Sequence, residues 1–91
     1  MLQIEYTAQF KRDLKRSKRR GKTMDKLVDV MNKIVHQTPL SSTLKDHALR
    51  GNYAGYRECH VEPDWLLIYK VILDESVVIF TRTGSHADLF E

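Results

Sequence analysis

Cys59 is the single cysteine among 91 residues, which excludes an internal disulfide and makes a reducing cytoplasm the expected compartment. No apolar run approaches the roughly 18 residues that a membrane span needs, so no membrane partner is expected. The opening Met1-Leu2-Gln3-Ile4-Glu5 lacks a basic segment followed by an apolar stretch and does not read as a signal peptide. Glycine is sparse, and Gly51, Gly55 and Gly84 are too scattered to form a glycine-rich phosphate loop. That argues against a nucleotide-hydrolysing enzyme. Paired C-x-x-C elements of a closed zinc site are absent too.

What is present suits one globular domain over residues 1–91, with 42% hydrophobic and 30% charged residues. A domain this short has a thin core, so a surface cleft is expected rather than a deep pocket. The net charge of +3 conceals an asymmetry. Residues 1–22 carry eight Lys/Arg against two Asp/Glu, while residues 23–91 carry seven against ten. Lys11, Arg12, Lys15, Arg16, Lys18, Arg19 and Arg20 concentrate the positive charge in ten positions. Such density attracts phosphate backbones, although a solvated helix face has the same composition. The acidic remainder could meet a basic partner.

Alternation of Leu2, Ile4 and Tyr6 with polar residues reads as an opening strand. Thr7 can cap a first helix with Phe10 and Leu14 on one face, the basic run on its surface and Gly21 as its stop. Thr23 can cap a second helix whose buried stripe is Leu27, Val28, Met31, Ile34 and Val35. After Asp46 the chain turns to short β-rich runs over residues 56–61, 65–72 and 77–83, broken at Pro63-Asp64 and at Asp74-Glu75-Ser76. These links are short enough for an antiparallel meander. The expected class is α+β: a strand and two helices packed on a small antiparallel sheet, order β-α-α-β-β-β, with a short helical turn near the C-terminus.

His47, Arg57, His60, Asp64, Arg82 and His86 crowd the second half, with Trp65 and Phe90 beside them. In a meander the end of the first strand, the start of the second and the end of the third share one sheet edge, so His60, Asp64, Arg82 and His86 should converge. Imidazoles exchange protons near neutral pH, a carboxylate accepts one, and a guanidinium stabilises charge on phosphate oxygen. Those groups suffice to cleave RNA by its own 2′-hydroxyl, with no metal or cofactor. Trp65 and Phe90 would offer faces for unpaired bases. Duller roles compete: Arg57 could pair with Glu58 or Glu62, Trp65 begins a strand rich in core residues, and His36 lies outside the cluster. Arg82 closes the apolar strand Val77-Val78-Ile79-Phe80 and needs a partner or water, which suggests anion binding. The histidines with Asp64 could instead hold zinc, or the chain could be a noncatalytic binding module.

Lys45-Asp46-His47-Ala48-Leu49-Arg50-Gly51, then Gly55 through Lys70 with its H-V-E-P-D-W segment, and Arg82-Thr83-Gly84-Ser85-His86-Ala87-Asp88-Leu89-Phe90 resemble the YafQ family of type II toxins. The resemblance spans nearly the whole chain. It implies a RelE-like fold related to microbial ribonucleases, and an mRNA interferase that cleaves codons within the ribosome and is neutralised by a DinJ-type antitoxin. Operator DNA would be contacted through that antitoxin. Carried over by position, the active-site residues are His47, His60, Asp64, Trp65, Arg82, His86 and Phe90. His86 would lead proton transfer, with His60, His47 and Asp64 sharing the complementary step, Arg82 on the phosphate, and Trp65 and Phe90 on the bases. The basic run would contact ribosomal RNA. Its helices match the family pattern less closely than the segments from Lys45 onward.

Overall fold

The computed structural model describes residues 1–90. The chain runs β1 (Gln3–Tyr6), α1 (Ala8–Arg19), α2 (Met24–Val35), β2 (His47–Ala48), β3 (Arg57–Glu62), β4 (Trp65–Ile72), β5 (Val77–Gly84) and α3 (His86–Phe90). The α+β class and the antiparallel meander β3-β4-β5 are as expected.

Two features of the sheet differ from expectation. Its order is β1-β5-β4-β3-β2, and β1 runs parallel to β5, so the sheet is mixed rather than antiparallel. Gln3 pairs with Val77, a partner too distant along the chain for any turn to announce. The extra strand β2 pairs only His47 with Glu58 and Ala48 with Arg57, too short to show alternation.

The helix ends follow their chemistry unevenly. Thr7 accepts the Phe10 backbone N–H and so caps α1. At the other end Gly21 adopts φ 78°, and the N–H groups of Gly21 and Lys22 reach back to the carbonyls of Lys18 and Ser17. This is a Schellman closure, which a left-handed glycine permits. Thr23 occupies the N-cap position of α2 but its side chain makes no capping bond. The buried stripe of α2 is Leu27, Val30, Ile34 and Val35; Val28 is exposed. Spacing of three and then four puts Val30 rather than Val28 in phase with Leu27 and Ile34.

Both helices cover one sheet face, packing Phe10, Leu27, Val30 and Ile34 against Cys59, Trp65, Leu67, Val78 and Phe80. Phe10 stacks against Tyr6 and Phe80, ring centroids 5.7 and 5.9 Å apart. On the opposite face Leu66 and Ile68 are covered by Leu89 of α3 and by Leu49, Tyr53 and Tyr56. Burial on both faces explains why β4 is apolar without alternation from Trp65 to Tyr69.

Past Tyr6, no strand among the described residues neighbours β5 on that side, and α1 with its N-cap satisfies the exposed edge. Thr7 donates its hydroxyl to the Thr81 carbonyl, Asp13 accepts the Thr83 N–H at 3.1 Å, and Arg16 donates to the Thr83 carbonyl at 3.1 Å. An unpaired strand edge is thereby closed by side chains.

Candidate active site

The face opposite the helices carries the chemistry, and strand register sets its layout. His47 pairs with Glu58, Glu58 with Ile68, and Ile68 with Arg82, making one row across β2, β3, β4 and β5. The next row is His60, Leu66 and Gly84. Side chains in such rows share a face, with neighbouring strands about 4.8 Å apart. α3 then brings His86 and Phe90 over the same face.

His86 is the most constrained of the histidines. Asp64, in the turn between β3 and β4, accepts the backbone N–H of His86 at 2.9 Å, and the same oxygen lies 2.7 Å from its Nδ1. These contacts, the backbone one first, hold the Asp64 carboxyl below the usual carboxylate range. An ionised carboxylate only accepts, so Nδ1 carries a proton and, in the neutral ring, Nε2 keeps its lone pair. α3 is held by a reciprocal cap in which Ser85 N–H donates to Asp88 and Asp88 N–H donates to the Ser85 hydroxyl.

His60 lies with its ring 5.8 Å from that of His86, and His47 lies 6.4 Å from His60. Both imidazoles turn Nε2 toward one carboxylate oxygen of Glu58, at 3.6 Å from His47 and 3.5 Å from His60. Glu58 is only 5% exposed. Nothing in the sequence marks it as more than a partner for Arg57. Arg57 instead pairs with Asp46 at 2.8 Å, and Tyr69 donates its hydroxyl to the other oxygen of that aspartate. Arg57 thus has a structural role, as one of its two readings allowed, but with Asp46 rather than Glu58 or Glu62 as partner. Asp46 anchors the segment that delivers His47, whose Nδ1 sits 2.6 Å from the Lys45 carbonyl.

Arg82 reaches this face through the bulge that breaks register between Ile68 and Tyr69. Its Nε donates to Asp13 at 2.8 Å, a partner no sequence pattern revealed. That hydrogen bond, with help from the Tyr53 hydroxyl, raises the guanidinium pKa above its ordinary value. The basic run divides in two. Arg16 joins Asp13 at 3.0 Å and approaches Asp88 at 3.6 Å, and Arg20 pairs with Asp88 at 2.6 Å. Those two arginines tie α1 to β5 and α3, whereas Lys11, Arg12, Lys15, Lys18 and Arg19 point outward.

Of the two expected base platforms, one is unavailable. Trp65 is 1% exposed, donates its indole N–H to the Thr83 hydroxyl at 3.0 Å, and has the Lys22 ammonium 5.6 Å from its ring centre. It is a core residue with no face left for a base. Phe90 is 47% exposed and adjoins both His86 and Tyr53, at 6.5 and 6.0 Å. A half-open cleft of about 400 Å³ borders His60, walled by Leu44, Val61 and Pro63 and rimmed by Thr43 and Lys45. No cluster of three His, Cys, Asp or Glu side chains suited to a metal ion occurs among the described residues. None of the described helices is long and apolar enough to cross a membrane.

Fold and face together define a class: a small α+β protein whose open sheet face gathers imidazoles, carboxylates and a guanidinium. The chain matches the family described as the bacterial toxin of type II toxin–antitoxin systems, YafQ, over residues 2–91. It is 48% identical over 88 residues to the mRNA interferase toxin YafQ of Escherichia coli strain K12, covering 96% of this chain and 94% of that protein. In three dimensions it matches a chain of the E. coli DinJ–YafQ complex with TM-score 0.91 and 44% identity over the full length of both. A metal-bound toxin from Helicobacter pylori matches with TM-score 0.93 and 38% identity, over 99% of this chain and 100% of that one. The chain belongs to the YafQ family of type II toxins.

Proposed function

We propose that this chain is an endoribonuclease toxin that cleaves mRNA on the ribosome by metal-independent acid–base catalysis, stops translation in the cytoplasm, and is held inactive by a DinJ-like antitoxin. Family membership and the mRNA interferase at 48% identity support the nuclease, and the complex of the similar E. coli protein supports the antitoxin. Through that antitoxin the complex binds operator DNA.

The observation that carries the mechanism is His86, its Nδ1 held by Asp64 and its ring 5.8 Å from His60. Cleavage needs one group to take the 2′-hydroxyl proton and another to give a proton to the departing 5′-oxygen. With Nδ1 occupied, Nε2 of His86 exchanges one of those protons. His60 supplies the other, and His47 and Glu58 support it. The 2′-oxygen forms its bond to phosphorus as the bond to the 5′-oxygen breaks, leaving a 2′,3′-cyclic phosphate and a free 5′-hydroxyl. Arg82 places positive charge against the pentacoordinate phosphate. Asp64, to which the resemblance gave a share in the complementary step, orients His86 instead, because its carboxyl is held below the usual carboxylate range and stays ionised. Phe90 offers a stacking face for a neighbouring base, with Tyr53 beside it. Lys11, Arg12, Lys15, Lys18 and Arg19 meet ribosomal RNA.

The test is primer extension on translated mRNA with wild type and His86→Ala. Wild type produces new 5′ ends and arrests growth; the variant stays folded, binds antitoxin and produces none. Equal toxicity of the variant would remove His86 from the mechanism, and a wild type giving no new ends would favour a binding module.

A further inference from the structure

The surroundings of Arg82 extend this reading to a residue on the other side of the sheet edge. Asp13 lies in the middle of α1 and is fully buried. A buried carboxylate is costly unless its oxygens are filled, and here they are. Oδ2 accepts Arg82 Nε at 2.8 Å and Thr83 N–H at 3.1 Å. Oδ1 lies 3.0 Å from Arg16 Nη2, accepts Gln9 Nε2 at 3.0 Å, and takes a longer contact of 3.4 Å from Arg82 Nη2. The carboxylate therefore grips one edge of the Arg82 guanidinium, the edge bearing Nε, and leaves Nη1 free of it.

We propose that Asp13 is a positioning residue for the reaction, fixing the Arg82 guanidinium side-on so that the edge the carboxylate does not hold, beside the Tyr53 hydroxyl, faces the scissile phosphate. The proposal rests on Arg82 being the phosphate ligand argued above. A guanidinium has five N–H donors in a rigid plane, so holding two of its nitrogens determines where the rest point. A flexible arginine would have to be ordered during each turnover. Asp13 removes that step beforehand, and removing such preorganisation slows the chemical step more than binding. Arg16 connects the same carboxylate toward Asp88, which caps α3 and thus holds the helix carrying His86. One buried acid thereby links the phosphate ligand and the proton-transfer residue to α1.

Asp13→Asn keeps the volume and one acceptor while removing the charge. Single-turnover cleavage at saturating toxin on programmed ribosomes should slow about tenfold or more, with the half-saturating concentration unchanged. In an Arg82→Lys background, where the side-on grip is already gone, the same substitution should cost little further. A purely structural role predicts the same loss in both backgrounds, and that result overturns the proposal. Nitrogen NMR of the Arg82 Nε–H group gives a readout independent of catalysis: slow exchange with solvent in wild type, fast in Asp13→Asn. Should Asp13→Asn not fold, the wild-type signal decides, because rapid exchange there excludes the grip. If wild type fails to cleave while Nε–H is protected, the nuclease reading fails and the contact stands.

Discussion

One oxygen of Asp64 serves His86 twice, accepting its backbone N–H at 2.9 Å and lying 2.7 Å from its Nδ1. The first contact starts α3, and the second sets the ring proton. Because both favour the ionised carboxyl, Asp64 titrates below the usual range, and the hold behaves as a depressed acid does. It is fully present above the unfolded value near 3.9 and is lost as pH falls through the lower folded value. Carbon NMR of the Asp64 carboxyl should place its midpoint below that of free aspartate. Asp64→Asn, which still accepts the backbone bond, should keep α3 folded and slow single-turnover cleavage by about tenfold or more. An unchanged rate would contradict the orienting role.

Glu58 sets stability against activity. Its carboxylate is nearly sequestered, with the imidazole Nε2 atoms of His47 and His60 as neighbours at 3.6 and 3.5 Å. Burying charge with such loose partners is unfavourable, and sites of this kind are retained for function. Glu58→Gln should therefore leave the urea midpoint unchanged or raised, while single-turnover cleavage falls about tenfold or more. A lowered midpoint accompanying the loss would assign Glu58 a structural role instead.

The basic residues of α1 should separate into two groups under substitution. Lys11, Lys15 and Lys18 are exposed, so changing all three to Gln should alter stability by less than about 0.5 kcal/mol. Ribosome affinity should fall, and the slope of log K against log salt should flatten by roughly 0.7 to 0.9 for each phosphate contact removed. Arg16→Gln acts differently, because Arg16 donates to the Thr83 carbonyl and touches both Asp13 and Asp88. It should cost about 1 to 3 kcal/mol in urea unfolding. Equal effects of the two changes would dissolve the division.

Much of this was legible in the sequence because local patterns and strand direction carried it. The 3.6-residue period located both long helices, alternation and turn residues located the meander, and strand direction brought His60, Asp64 and His86 together. Contacts made across long stretches of chain left no such mark. Asp13 and Glu58 read as ordinary polar residues, since nothing local shows that α1 seals the end of β5 or that β2 folds His47 onto β3. Trp65 misled for the opposite reason: its aromatic ring and the resemblance both pointed to a base platform, while the unbroken apolar run it begins signalled burial on both faces. Arg82 fell between, its need for a partner evident and that partner 69 positions away.

The mechanism makes the 2′-hydroxyl of the message the nucleophile, activated on the histidine face. It is tested by placing one 2′-deoxynucleotide at the mapped cleavage site of an mRNA held in the ribosomal A site and measuring single-turnover cleavage by the wild-type protein. The mechanism predicts that the all-ribose message yields a 2′,3′-cyclic phosphate and a 5′-hydroxyl, and that the deoxy-substituted message stays intact at that bond. Cleavage of the deoxy bond at a comparable rate would mean that water or another nucleophile attacks, contradicting the account.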